Sequence, residues 1–92
     1  MARSWDDPKD PDELLDYGVD WTKPLAGDQI VASEWAVPEG IVDAGNASFD
    51  TSKTTIWLSG GTHGENYELI NTINTAGGRI RELTCKLRCR TK

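Results

Sequence analysis

Ninety-two residues allow one domain at most, since single domains typically run to about 100–150 residues. Hydrophobic residues are 37% of the chain, and Leu, Ile, Val and Phe together number 18, just under the ~20% level at which disorder becomes plausible; four Trp and a net charge of only −5 weigh against a wholly disordered chain. Apolar runs stop at three residues, which excludes a membrane span of about 20, no secretory signal pattern opens the chain, and a large enzyme active site does not fit this scale.

The charge is uneven. Residues 1–50 carry 12 acidic and 3 basic groups, whereas residues 51–92 carry 3 acidic and 7 basic, six of them between Arg79 and Lys92. This polarity suits assembly through complementary surfaces. It equally suits an acidic segment lying over the chain's own basic end.

Residues 1–24 hold three of the four prolines (Pro8, Pro11, Pro24) and most of the aspartates, and are expected to form an acidic arm, with the domain proper at 25–92. Within the arm a short helix is predicted near 11–17. Asp10 is placed to cap it, Pro11 suits the first helical position, Glu13 completes a capping box and Gly18 ends it. Two turns of helix are not stable alone, so Leu14, Leu15, Tyr17 and Trp21 are the candidate docking residues, on this chain or a neighbour.

From Asp28 onward the period is two. Gln29–Val37 reads as a half-buried strand with Val31, Ser33, Trp35 and Val37 on one face. Ile41–Phe49 is a Gly-interrupted strand or pair of strands, and Thr54–Ser59 is a β-rich run closed by Gly60-Gly61. Asn66–Asn74 and Arg81–Arg90 alternate, and the Thr75–Gly78 loop joins them as a hairpin. Opposite parities of Ile80 and Leu83 predict a bulge near Arg81 or Glu82. Such spacing predicts an all-β, immunoglobulin-like antiparallel sandwich. Tyr67, after the Gly64 turn, is placed as a tyrosine corner. Trp35 and Trp57 are the other fold-signature residues, although the sequence cannot assign both to the core.

No chemistry stands out. Cys85 and Cys89 on one strand lie about 13 Å apart, too far for a disulfide, and read as small buried residues. No cofactor or metal site is expected: a zinc site lacks ligands beyond His63, and the aspartate run (Asp6, Asp7, Asp10, Asp12, Asp16, Asp20) fits no EF-hand register. His63 has no recognisable nucleophile or acid partner, so no catalytic residue is assigned. Gly60-Gly61-Thr62 lacks the phosphate-loop pattern, and Asn46-Ala47-Ser48 is an incidental acceptor match. The basic run (Arg79, Arg81, Lys86, Arg88, Arg90, Lys92) alternates with apolar residues and reads as the charged face of an edge strand, not as a nucleic-acid surface.

Two stretches, Asp10–Trp21 with Leu25-Ala26-Gly27-Asp28-Gln29-Ile30, and Thr55–Thr62 with Tyr67–Asn71 and Thr75–Arg79, resemble the small immunoglobulin-like structural proteins of tailed bacteriophages and prophages. The resemblance covers about Asp10 to Arg90. It implies a non-enzymatic structural or adaptor component of the neck, tail or fibre-attachment region. Such a component is made in the host cytoplasm and carried in the virion, with other virion proteins as partners and a homo-oligomer as one arrangement. The alternative is a carbohydrate- or host-surface-binding module, whose cue would be an exposed Trp57 or Trp35.

Overall fold

The computed structural model describes residues 2–5 and 8–91, the first three by backbone alone. Two sheets face each other. The first has the order β1-β8-β7-β3, built from β1 (Ala2–Ser4), β3 (Ile30–Ala36), β7 (Asn66–Thr75) and β8 (Ile80–Arg88). The second has the order β2-β6-β4, built from β2 (Leu15–Asp20), β4 (Ile41–Asp43) and β6 (Lys53–Gly60), with the short β5 (Ser48–Phe49) also on β6. The pairings are antiparallel except β1, which runs parallel to β8. A single turn of helix, α1 (Thr22–Leu25), leads from β2 towards β3.

Side-chain alternation makes this sandwich. Leu83, Cys85, Leu87 and Cys89 face Tyr67, Leu69 and Ile73 within the first sheet's inner layer, and Val19, Ile56, Leu58 and Ile41 form the opposing layer. Both cysteines are buried free thiols. Burial pushes the Cys89 thiol above its ordinary pKa, against the pull of the nearby Lys9 ammonium, as expected for a packing residue. The β7–β8 register runs unbroken from Asn66↔Arg88 to Asn74↔Ile80, so the bulge predicted near Arg81 or Glu82 is absent. It lies in β3 instead, between Ile30 and Ala32. There Ile30 turns inward and Val31 turns out, 56% exposed, before Trp35 and Val37 pack on the core. Val31 therefore does not share the inner face with Ser33 and Trp35.

The first 24 residues are not a separate arm. β2 is a full strand of the second sheet, and Trp5, Val19 and Trp21 belong to the core. The stretch before β2 lies along the chain's own basic strand: Trp5 N–H donates to the Lys86 carbonyl, Lys9 N–H to that of Arg88, and Arg90 N–H to that of Lys9. This covers an otherwise open edge of β8. Asp6, Asp7 and Lys92 lie outside the described residues.

The predicted helix at 11–17 is likewise replaced. The capping contacts do form, with Asp10 N–H donating to Glu13 Oε1 at 2.9 Å, Asp12 N–H to Asp10 Oδ1 at 2.9 Å and Glu13 N–H to the Asp10 carbonyl at 3.0 Å, but they close one turn only. Beyond it Leu15, Tyr17 and Val19 recur at period two, and pairing with β6 supplies hydrogen bonds that an isolated two-turn helix could not match. Gly18 sits inside β2, its carbonyl accepting from Trp5 Nε1 at 3.2 Å.

One polar node ties the sheets together. Asn71, fully buried on β7, accepts from Trp21 Nε1 at 3.0 Å and Thr54 Oγ1 at 2.7 Å, and donates to Ser33 Oγ and the Glu34 carbonyl, both at 3.0 Å. An amide side chain has two acceptor and two donor sites, and all four are used. A second tie is Lys9, whose buried ammonium donates to the carbonyls of Gly60 (2.7 Å) and Asp10 (2.9 Å). Loss of solvent holds its pKa below the ordinary lysine value, opposed by nearby Cys89, Glu13, Asp10 and Asp12. Beside it Gly61 has φ +101°, and a Cβ there would lie 2.7 Å from Cys89 Sγ; only glycine fits.

Candidate interaction surface

The outer face of the β2–β6–β4 sheet follows from strand parity. On β6, Thr54, Ile56 and Leu58 are buried, so Lys53, Thr55, Trp57 and Ser59 point outward. Register sets Asp16 of β2 opposite Trp57, Gly18 opposite Thr55 and Asp20 opposite Lys53, while Val42 of β4 lies opposite Ser59. Leu14, immediately before β2, continues the outward row of Asp16. Leu14 is 54% exposed, Val42 55% exposed, and Trp57 half-buried and outside the core cluster.

Val42 thus occupies a position diagonal to Trp57, a spacing of about 7–8 Å that an aromatic ring spans, and Leu14, one residue before the paired stretch, has the parity of Asp16. Gly18, the other diagonal neighbour, leaves that flank of the ring uncovered. Asp16 is exposed and has no hydrogen-bond or ion-pair partner among the described residues. Phe49 on β5 is exposed too, but stands opposite the inward Thr54, and the exposed Val31 on β3 and Ile80 at the start of β8 belong to the other sheet. Scattered single apolar side chains are ordinary on a protein surface.

The residues expected to dock separate in space. Leu14 is exposed. Leu15 and Tyr17 are half-buried on the inner side of β2, and Tyr17 packs on Trp5 with ring centroids 4.8 Å apart. Trp21 has no exposed surface, so it cannot meet a neighbouring subunit; it packs inside because β2 carries it there on the parity of Tyr17 and Val19. Of the fold-signature residues, Tyr67 and Trp35 pack in or against the core. The Tyr67 hydroxyl accepts from Thr62 N–H at 3.0 Å. Trp57 does not share that role, because its flanking residues Ile56 and Leu58 take the inward positions.

The remaining polar groups are structural. Asp28 accepts from Gln29 N–H (2.9 Å), Gly77 N–H (3.0 Å) and Arg79 (3.0 Å), joining the start of β3 to the β7–β8 turn. The Thr75 hydroxyl, together with these donors, holds its pKa at about 2. His63 accepts from Thr91 N–H through Nδ1 at 2.9 Å. Among the described residues no three His, Cys, Asp or Glu side chains gather as a metal site, and no helix is long and apolar enough to cross a membrane.

Sequence reasoning missed Asn71, Lys9, Asp16 and Val42. For Asn71 the signal was present: one amide in the otherwise apolar inward row Tyr67, Leu69, Ile73. Lys9 gave none, since its burial depends on the distant Gly60 carbonyl.

Residues 9–88 match the family model of podophage GP4 fiber-tail adaptor protein gp77. The chain belongs to this family. It is a structural adaptor protein of the phage tail at the attachment of the fibre, and so a component of the virion. The match begins at the buried Lys9 and ends with β8, so it includes β2 and Trp21 within the shared unit. No curated protein matches the chain.

Proposed function

We propose that this gp77-family adaptor works without chemistry, as a rigid immunoglobulin-like sandwich that docks onto neighbouring tail and fibre proteins. The family match carries this reading. The strand orders β1-β8-β7-β3 and β2-β6-β4 support the immunoglobulin-like topology, as does the Tyr67 hydroxyl bonded to the backbone at Thr62. Rigidity is supported by the two inter-sheet ties, Asn71 and Lys9, which fix the faces relative to each other. The docking role passes from Trp21 to the outward residues, with Leu14 retained from the expected set and Leu15 and Tyr17 supporting it from beneath.

The test is a phage lacking this chain. Its tails should assemble without fibres, seen by electron microscopy and by loss of the fibre protein from purified particles, and supplying the chain in trans should restore them. Fibres attached at normal occupancy without the chain would overturn the reading. A second reading, a carbohydrate-binding module, is favoured by the position of Trp57 on an outer face. Saturable binding on a glycan array, abolished by Trp57→Ala, would support it.

A further inference from the structure

We propose that the face around Trp57 receives a basic segment of another tail or fibre protein. An arginine of that segment stacks on the Trp57 ring and pairs with Asp16, and an apolar neighbour lies against Leu14 and Val42. This deepens the adaptor reading and rests on it. Three observations carry it.

Val42 on β4 and Leu14 just before β2, both exposed and apolar, lie on either side of the same half-buried tryptophan, whereas the sheet's other exposed large apolar side chain, Phe49 on β5, stands opposite the inward Thr54. Clustered exposure of this kind marks an interaction site where scattered exposure does not, and Trp is among the residues that dominate interface energetics. Next, the cluster has one charge on its face, Asp16, opposite Trp57 and without an ion-pair partner among the described residues. The only cation of the face among the described residues, Lys53, stands opposite Asp20 at the far end of the row. A carboxylate beside an aromatic face suits a guanidinium, which pairs in its plane and stacks on its flat side at once. Finally, Gly18 places no side chain beside the ring, so a planar group can approach from that side. A Cβ added there would meet the Thr54 carbonyl at 3.0 Å.

The test compares hydroxyl-radical oxidation of Trp57, read by mass spectrometry, in the purified chain and in the assembled virion. Trp57 should be strongly labelled when free and several-fold protected in the particle, while Trp21 stays unlabelled in both. Asp16→Lys should lower incorporation or fibre retention on the order of tenfold with an unchanged melting temperature, whereas Lys53→Glu should leave both intact. Equal labelling of Trp57 in particles that contain the chain would overturn the inference and leave the adaptor reading standing; absence of the chain from particles would overturn both. Concentration-dependent protection of Trp57 in the purified chain, matched by self-association in sedimentation, would replace the basic partner with a second copy. Glycan binding lost in Trp57→Ala, with normal particle assembly, would replace it with a carbohydrate.

Discussion

Trp21 and Trp57 stand on opposite sides of one sheet, the one built on β6. Trp21 is sealed between the layers with its indole N–H on Asn71, and Trp57 lies on the outer face between Asp16 and Val42. Composition alone makes the pair equivalent, and the acidic surroundings of Trp21 make it the more obvious docking residue. Parity reverses that assignment. Trp21 follows the inward row of Tyr17 and Val19, whereas Trp57 falls between the inward Ile56 and Leu58. A period-two segment assigns its aromatics to core or surface by register, and residue type is secondary.

Trp21→Ala should have the largest effect. It empties a sealed site and orphans one acceptor of Asn71, so unfolding in urea should show a loss of about 3–5 kcal/mol. A loss near zero would return Trp21 to the surface.

The next comparison is between two tryptophans on the inner side. Trp21→Phe removes the donor to Asn71 and should cost about 1–3 kcal/mol. Trp35 also packs on the core, but its Nε1 is buried and finds no acceptor among the described residues. Trp35→Phe removes that orphaned donor along with some contact area, and should therefore cost much less than Trp21→Phe in the same titration.

Asp28 gives a smaller, pH-dependent effect. Its folded pKa of about 2 lies below the ordinary 3.8. The folded state thus binds fewer protons than the unfolded state between those values. The resulting stabilisation is complete above about pH 4 and is lost as pH falls towards 2. Asp28→Asn should lower the melting temperature at pH 6 and flatten its fall between pH 4 and 2. Trp57→Ala should cost folding only about 1–2 kcal/mol, well below Trp21→Ala, because the ring is only half-buried, despite its effect on docking.

Much of the second half was legible in the sequence. β6, β7, β8 and the hairpin between the last two follow from alternation and Gly-containing turns, and the Ile41–Phe49 region, readable as one strand or two, resolves into two. The first 24 residues were not, because the strongest local signal there, Asp10-Pro11-Asp12-Glu13, is real but closes only one turn. What β2 becomes is decided by the open edge of β6, 33 to 43 residues away along the chain (Asp20↔Lys53 to Leu15↔Leu58). The bulge was misplaced for a related reason: Ile80 and Leu83 sit on opposite faces of an unbroken strand, while the true irregularity at Val31 lies in a run (Ile30-Val31-Ala32) that is apolar at every position. The proposed docking face combines Asp16, Val42 and Trp57 from three strands with Leu14 just before one of them, so no contiguous stretch of sequence contained it.

Hydrogen exchange of the indole N–H groups in the purified chain tests the contrast most directly. The Trp21 indole should exchange only through global unfolding, with a protection free energy matching that from urea, and the Trp57 indole should exchange at a rate near that of an exposed indole. Fast exchange at Trp21 together with protection at Trp57 would contradict the assignment of one tryptophan to the core and the other to the outer face.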